Sequence, residues 1–144
     1  MIIREMEERD LPEVCALMRQ LSGYPLTLDD MRGRWDMVKN SPIDWIYVCE
    51  IDGAILGAMG FRLREQVERP SRYAEISALV THADARRKGV GRALVEFAEQ
   101  LAHEHHCIGT WLVSGFGRKD EAHVFYENLG YKTTGYRFVK LFDQ

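Results

Sequence analysis

The stretch from Glu75 to Leu101 constrains the fold more than any other part of the chain. Its first part, Glu75 to Thr81, is short, apolar and rich in β-branched residues, which is typical of a buried strand. Its last part repeats apolar residues at the spacing of one helix face, with a period of about 3.6 residues: Val90, Leu94, Phe97 and Leu101. A buried strand followed closely by an amphipathic helix predicts an α/β fold.

The segment Arg86 to Gly91, with the sequence Arg-Arg-Lys-Gly-Val-Gly, joins this strand to this helix. A turn that opens a helix presents unpaired backbone N–H groups and the positive end of the helix dipole to one point in space. Glycine permits positive φ and close approach of a ligand, and the three cations add positive charge. The segment favours binding of a pyrophosphate, although cations beside glycine also occur in solvated turns.

Two common phosphate-binding motifs fit this segment poorly. A P-loop ends in Gly-Lys-Ser/Thr, and the dinucleotide fingerprint requires a third glycine where this chain has Leu94. The segment instead resembles the pattern Arg/Gln-x-x-Gly-x-Gly/Ala of the GNAT superfamily of N-acetyltransferases. In that family the loop holds the pyrophosphate of coenzyme A.

Composition limits the other classes of function. A chain of 144 residues suits a single domain, and its net charge of -3 argues against a nucleic-acid partner. No run approaches the roughly 20 apolar residues of a membrane span, and the acidic start is not a signal peptide. Three cysteines at no metal-like spacing favour reduced, buried thiols. We therefore expect a cytoplasmic protein with no membrane segment and no metal.

Apolar periodicity and turn residues predict the remaining elements. In chain order they are an edge strand in Met1–Met6, a helix capped by Asp10 and stopped by Gly23, a helix capped by Thr27, strands Trp45–Ile51 and Ala54–Leu63 joined by Asp52-Gly53, a charged loop Arg64–Arg72, the strand and helix above, a strand Gly109–Ser114, a helix from Lys119 or Asp120 to Gly130, and two short strands in Tyr131–Phe142. Gly57 and Gly60 indicate a bulge or close packing. This order predicts one α/β domain, residues 1–144, with a mixed sheet flanked by helices, and it is similar to the GNAT fold.

A second motif strengthens the resemblance. Ala122 to Tyr131 resembles the family pattern Ala-x-x-x-Tyr-x-x-x-Gly-Phe/Tyr. The segment Arg118 to Tyr126, with the ending Tyr136 to Lys140, resembles a bacterial subgroup that includes aminoalkylphosphonate N-acetyltransferase. One departure is Lys119, at a place where many members carry an asparagine that contacts the cofactor.

The resemblance implies direct transfer of an acetyl group from acetyl-CoA to a primary amine of a small molecule. It also implies the residues that bind the cofactor: Leu79, Val80, Thr81, Arg86, Arg87, Lys88, Gly89, Val90, Gly91, Arg92, Lys119 and Ala122. Dimers are common among relatives, so a homodimer is possible. The acceptor stays open among aminoalkylphosphonates, polyamines, aminoglycosides, amino acids and protein N-termini or lysines. A non-catalytic acyl-CoA-binding module would also keep the glycine loop.

Acetyl transfer requires a neutral amine, a polarised thioester carbonyl and a proton for the departing thiolate. The resemblance assigns polarisation to a backbone N–H near Leu79 to Thr81. Tyr126 is the expected acid, since a phenol with a pKa near 10 is protonated at neutral pH, and its alternative role is core packing. Glu75 is the expected base, since a glutamate in an apolar strand is costly to bury without a role, and its alternative is a salt bridge with Arg62 or Arg72.

Two other sets of reactive residues are weaker candidates. The run His103 to His106 suits the last turn of a helix, where cations are favoured, and adjacent histidines do not converge on a metal as an i, i+4 pair does. Cys107 follows a helix and lacks the partners of a nucleophilic cysteine. We therefore expect attack on the thioester without an acyl-enzyme.

Overall fold

The computed structural model describes residues 1–85, 87–114 and 119–142, and for Lys119 and Asp120 it describes the backbone alone. The chain forms two compact units, Met1–Trp111 and Leu112–Gln144. The predicted single domain over residues 1–144 stays a prediction.

The secondary structure follows the predicted order through α4. The elements are β1 Ile2–Glu5, α1 Leu11–Ser22, α2 Leu28–Lys39, β2 Asp44–Ile51, β3 Ala54–Glu65, β4 Arg72–Thr81, α3 Val90–Glu104, β5 Gly109–Leu112 and α4 Lys119–Asn128. The five strands form one sheet in the order β1-β2-β3-β4-β5, and β1 to β4 pair antiparallel. A helical crossover, α3, links β4 to β5, as in parallel pairs. The prediction of an α/β fold with a mixed sheet is confirmed.

The β2–β3 hairpin forms as the Asp52-Gly53 turn predicts. Both turn residues have positive φ, 50° and 80°, which matches the right-handed twist of the flanking strands. The prediction for the two strand glycines is also confirmed. The β3–β4 register shifts between Gly60 and Phe61, and Gly57 lies under the first turn of α3.

Helices α1 and α2 cover one face of the sheet. Their apolar side chains share a buried core with residues of β2, β3 and β4: Leu11, Val14, Leu17, Met31, Ile46, Val48, Ala58 and Val80. Burying each large side chain contributes about 1.5–3 kcal/mol. Trp35 of α2 packs against this core while staying partly exposed.

Helix α3 covers the opposite face. Phe97 meets Tyr47 edge to face, with 5.0 Å between ring centroids. Val90 and Leu94, both buried, lie against Gly57. Because α3 starts directly above β3, its N-terminus is fixed relative to the end of β4.

Asp10 is the N-cap residue of α1, as predicted, but its side chain makes no capping hydrogen bond to this helix. Thr27 caps α2 by accepting from Asp30 N at 3.0 Å, as expected. The Asp10 carboxylate instead accepts from Arg4, at 2.7 and 3.0 Å, and from Glu7 N at 2.8 Å. Burial opposes its charge, but these hydrogen bonds outweigh burial and lower the pKa of Asp10. The Asp10 carboxylate therefore pairs with Arg4 and with the backbone of the preceding turn, and it is not available to the first N–H groups of α1.

Two further boundaries differ from the prediction. The charged loop is shorter than Arg64–Arg72, because Arg64, Glu65 and Arg72 belong to paired strands. The described residues 131–142 contain no strand, although two were predicted there. Alternating apolar residues do not form a strand unless a neighbouring strand accepts their backbone hydrogen bonds. No helix among the described residues is long and apolar enough to cross a membrane.

Candidate active site

The C-terminal end of β4 has one edge bound to β3 and one edge that β5, as far as the chain is described, does not reach. His82 N donates to Leu56 O at 2.8 Å, and antiparallel bonds alternate, so Val80 and Ala78 also bond to β3. The backbone N–H groups of Leu79 and Thr81 therefore point away from β3. Strand β5 has four residues and begins where Ile108 N donates to Arg72 O, at the other end of β4. The strand ends at Leu112, so its four residues stop short of Leu79 to Thr81.

The segment after β4 turns tightly into α3. A 3₁₀ turn covers Ala83–Ala85, Arg87 and Gly89 have positive φ of 69° and 77°, and Arg87, Lys88 and Gly89 are exposed. The first bond of the helix runs from Ala93 N to Gly89 O at 3.0 Å. The N–H groups of the first helical turn therefore lack acceptors within the helix. They belong to Val90, Gly91 and Arg92.

Electrostatics at this helix start favour an anion. The first turn of α3 carries no acidic residue, and its N-cap residue, Gly89, has no side chain that could bond to the first N–H groups. The start of α3 and the outward N–H groups of β4 lie at the same end of β4. The described part of the predicted phosphate loop thus presents backbone donors and the cations Arg87 and Lys88 together.

Gln20 holds the end of β4 from the other side of the sheet. Its Nε2 donates to Thr81 O at 2.8 Å, which links α1 to the last residue of the strand. Gln20 is not among the residues predicted from the sequence. No local pattern marks it, because its partner lies 61 residues away.

Glu75 lies on β4 with its side chain 18% exposed. Its carboxylate is 3.8 Å from Arg64 Nε. The prediction that Glu75 forms a salt bridge with Arg62 or Arg72 is wrong. Arg62 lies 3.7 Å from Asp44, and Arg72 pairs with Glu65 and donates to a backbone carbonyl. The contact with Arg64 is too long for a hydrogen bond, so the Glu75 carboxylate can still accept a proton or a hydrogen bond from a substrate.

Tyr126 lies on α4, in the second unit. Its ring is half-buried and packs edge to face on Phe125 and Tyr131, with centroids 5.0 and 6.1 Å away. Its carbonyl accepts from Tyr131 N at 3.0 Å, which closes the helix ahead of Gly130 as predicted. Ala122 is buried one turn earlier. The second motif therefore forms a helix that ends at Gly130, as its sequence predicts.

The model of the acetyltransferase (GNAT) domain matches residues 42–133, which include β2 to β5 and α4. The chain belongs to the GNAT family. The prediction of an acyltransferase is thereby confirmed at the level of the family, and GNAT enzymes use acetyl-CoA.

Individual GNAT relatives are distant. The chain is 29% identical to aminoalkylphosphonate N-acetyltransferase of Salmonella typhimurium over 89 residues, which are 62% of this chain and 57% of that protein. The match thus spans little more than half of the curated relative.

Solved structures match over almost the whole chain. A transcriptional regulator from Bacillus halodurans C-125 has a TM-score of 0.86 at 25% identity, with 98% of this chain and 99% of that chain covered. A GNAT family acetyltransferase from Staphylococcus aureus has a TM-score of 0.82 at 25% identity, with 98% of each chain covered. The predicted GNAT fold is confirmed.

Some predicted GNAT site residues cannot be placed. Arg86 lies outside the described residues, as do Gly115 to Arg118, and the side chain of Lys119 is likewise not described. The predicted roles of Arg86 and Lys119 therefore stay predictions.

The cysteines of this GNAT chain lack the features of a nucleophile. All three are free thiols, and burial raises the pKa of both Cys49 and Cys107. A raised pKa keeps a thiol protonated and unreactive. Cys15 is buried and directs its Sγ to Leu26 O and Thr27 O, at 3.5 Å each.

Proposed function

We propose that this protein transfers an acetyl group from acetyl-CoA directly to a primary amine of a small molecule. The observation that carries the proposal is the shared end of β4. Outward N–H groups of Leu79 and Thr81 and the uncapped first turn of α3 lie there together, as a phosphate-bearing thioester requires. Family membership supports the same reaction.

Binding of the pyrophosphate falls to the start of α3. Backbone N–H groups of Val90, Gly91 and Arg92 supply hydrogen bonds, and Arg87 and Lys88 supply charge. Gly89 has no Cβ to obstruct the approach, and among the described residues no atom lies within 4 Å of where a Cβ would stand. When bound, acetyl-CoA brings a thioester whose carbonyl carbon is the electrophile.

The chemical step divides among three groups of this chain. The N–H of Leu79 or Thr81 donates to the thioester oxygen and stabilises its developing charge. Glu75 accepts the proton of the amine, directly or through a water. Tyr126 donates a proton to the sulfur as the C–S bond breaks and the new C–N bond forms.

The acceptor, the cellular location and the oligomeric state are also proposals. A small molecule bearing a primary amine is favoured over a protein N-terminus or lysine. A cytoplasmic location and a homodimer fit the family and stay untested. The competing function is a non-catalytic acyl-CoA-binding module, which gains some support because one similar structure is described as a transcriptional regulator.

A thiol-release assay tests the proposal. Purified protein is mixed with acetyl-CoA and a panel of small amines, and free CoA and the acetylated product are both measured. Release of CoA that depends on an amine, with one acetyl amide formed per thiol, is expected. Tight binding of acetyl-CoA without turnover of any amine or peptide would instead favour the non-catalytic module.

A further inference from the structure

Four charged side chains lie together on the face of the sheet that α1 and α2 cover. Asp44, Arg62 and Glu75 are direct cross-strand partners on β2, β3 and β4. Arg64 follows two positions after Arg62 and therefore points to the same face. Asp44 shares this face with Ile46, which is part of the core beneath α1 and α2. We call these four residues the charged row.

The arginines of the charged row are more exposed than its carboxylates. The side chains of Arg62 and Arg64 are 40% and 48% exposed, whereas those of Asp44 and Glu75 are 17% and 18% exposed. A solute that approaches this face meets the guanidinium groups before the carboxylates. The outer layer of the row is therefore positive.

Among the described residues, neither guanidinium has a carboxylate within hydrogen-bond range. The Arg62–Asp44 and Arg64–Glu75 contacts are 3.7 and 3.8 Å, beyond hydrogen-bond range. Within the described ranges, Arg62 Nε is buried and has no hydrogen-bond partner. A buried donor without a partner is costly and rare in native proteins, so Arg62 is kept here at a cost in stability. Nε itself is shielded from solvent, so a bound acceptor oxygen meets the other N–H groups of this guanidinium, whose side chain is 40% exposed.

The spacing of the two arginines suits one anion. Residues two apart on a strand are separated by roughly 6.5–7 Å along it. Long guanidinium side chains at that separation can converge on one carboxylate or phosphonate, and their planar donors match such groups. Arg64 is also held over the ring of Trp111, at 5.8 Å from its centroid, which restricts where it points.

We infer that the acceptor is an amine that also carries an anionic group a few bonds from its nitrogen. The inference rests on the proposed function and names the substrate class of the same site. Arg62 and Arg64 bind the carboxylate or phosphonate, while the ammonium faces Glu75, the cross-strand partner of Arg62. Acceptors whose far end is a second ammonium are repelled by the same two arginines.

The first experiment compares acceptors of similar length at saturating acetyl-CoA. The probes are 3-aminopropanoate, 2-aminoethylphosphonate, 3-aminopropanol and 1,3-diaminopropane. The two anionic acceptors are expected to have kcat/KM values on the order of 10- to 100-fold above the neutral one, since hydrogen bonds to charged groups are the strong ones. A preference for the neutral or the dicationic amine overturns the inference.

Variants then test the residues. Arg62→Gln and Arg64→Gln are expected to bring the anionic-to-neutral ratio of kcat/KM toward one, chiefly through a higher KM for the anionic acceptor. Arg62→Lys keeps the charge without the planar fork, so it should restore part of the ratio. Arg9→Gln, at an exposed arginine of the turn before α1, is the matched control and leaves the ratio unchanged. An unchanged ratio in both Arg62→Gln and Arg64→Gln overturns the inference.

A readout without turnover separates this inference from the proposed function. Methylphosphonate should raise the melting temperature of the wild type more than that of the Arg62→Gln/Arg64→Gln double variant. If no amine is acetylated but this difference appears, the proposed function fails and the anion site stands. If amines are acetylated and methylphosphonate stabilises both proteins equally, the anion site fails and the acetyltransferase stands.

Discussion

Gly57 of β3 lies so close to Val90, the first residue of α3, that a Cβ at position 57 would be 2.5 Å from Val90 Cγ1. The sheet thus sets the position of the helix start that we assign to the pyrophosphate. A side chain at this point must push the first turn of α3 outward or displace β3.

Gly57→Ala should therefore lower both stability and affinity for acetyl-CoA. Overpacking of a tight site costs about 1–3 kcal/mol, and the displaced N–H groups should weaken cofactor binding. Denaturant unfolding and calorimetric titration measure the two effects. Gly33→Ala, on an exposed part of α2 with no atom within 4 Å, is the control and should change neither for the worse. If Gly57→Ala is destabilised but binds acetyl-CoA with unchanged affinity, the position of the α3 start does not control cofactor binding.

Gly89→Ala should weaken cofactor binding beyond its effect on the fold. The residue has φ of 77°, where a Cβ costs about 1–2 kcal/mol, and it faces the proposed phosphate path. Gly53→Ala, at φ of 80° in the β2–β3 turn, carries the same strain away from this path. Thermal shifts with acetyl-CoA and with pantetheine measure binding, and acetyl-CoA should stabilise the wild type more. Equal losses in both variants would count against the loop.

Tyr126→Phe should reduce turnover per folded molecule on the order of 10²-fold. The substitution removes only the hydroxyl, so the edge-to-face packing on Phe125 and Tyr131 is retained. Single-turnover kinetics report the chemical step. Tyr131→Phe removes the hydroxyl of the neighbouring ring and is the control. Wild-type rates in Tyr126→Phe, with chemistry rate-limiting, would make Tyr126 a packing residue.

Glu75→Gln should reduce kcat/KM most at low pH, where fewest acceptor amines are already neutral. High pH should partly restore the rate, because the amine then arrives without its proton. The purely structural alternative predicts lost stability and a rate profile of unchanged shape, since Arg64 loses its nearest carboxylate. Glu65→Gln removes the acidic partner of Arg72 on the neighbouring strand and controls for a lost surface ion pair. The pH profile and melting curve of each variant are measured together.

Asp10→Asn should cost about 3 kcal/mol of unfolding free energy at neutral pH, because Arg4 then loses its main partner in a largely buried pair. Burial opposes the Asp10 charge, but hydrogen bonds from Arg4 and Glu7 lower its pKa below the unfolded value. Its contribution is therefore complete above the unfolded pKa of about 3.9 and disappears as pH falls through the lower folded pKa. Urea unfolding of both proteins from pH 7 to pH 2 should show this convergence. Glu8→Gln, in an exposed pair with Arg32, should show little difference at any pH.

Features encoded by neighbouring residues were predictable from the sequence. The Asp52-Gly53 turn, the Thr27 cap and the stripe from Val90 to Leu101 each depend on residues a few positions apart, and each has its expected structure. The same holds for the start of α3 after Gly89. These features required only backbone geometry and local hydrogen bonds.

Partners set by the tertiary structure were not predictable in the same way. Asp10 binds Arg4 across a turn, Glu75 lies nearest Arg64, and Gln20 reaches Thr81. Glu75 contacts Arg64, which is diagonal to it, and not its direct cross-strand partner Arg62. This pairing depends on how far the side chains reach between two strands, which the residue spacing within one strand does not reveal. The failed strands in residues 131–142 show the same limit, because a strand exists only with a neighbour.

The bond from Gln20 to Thr81 also bears on the order in which this molecule assembles. The β2–β3–β4 meander is built from short-range contacts and can form early, whereas the Gln20 contact must close 61 residues of chain. The end of β4 is thus finished only once α1 has docked. A substitution in the meander should slow folding, whereas Gln20→Ala should chiefly speed unfolding. This corner of the site would then form after the meander and depend on the docking of α1.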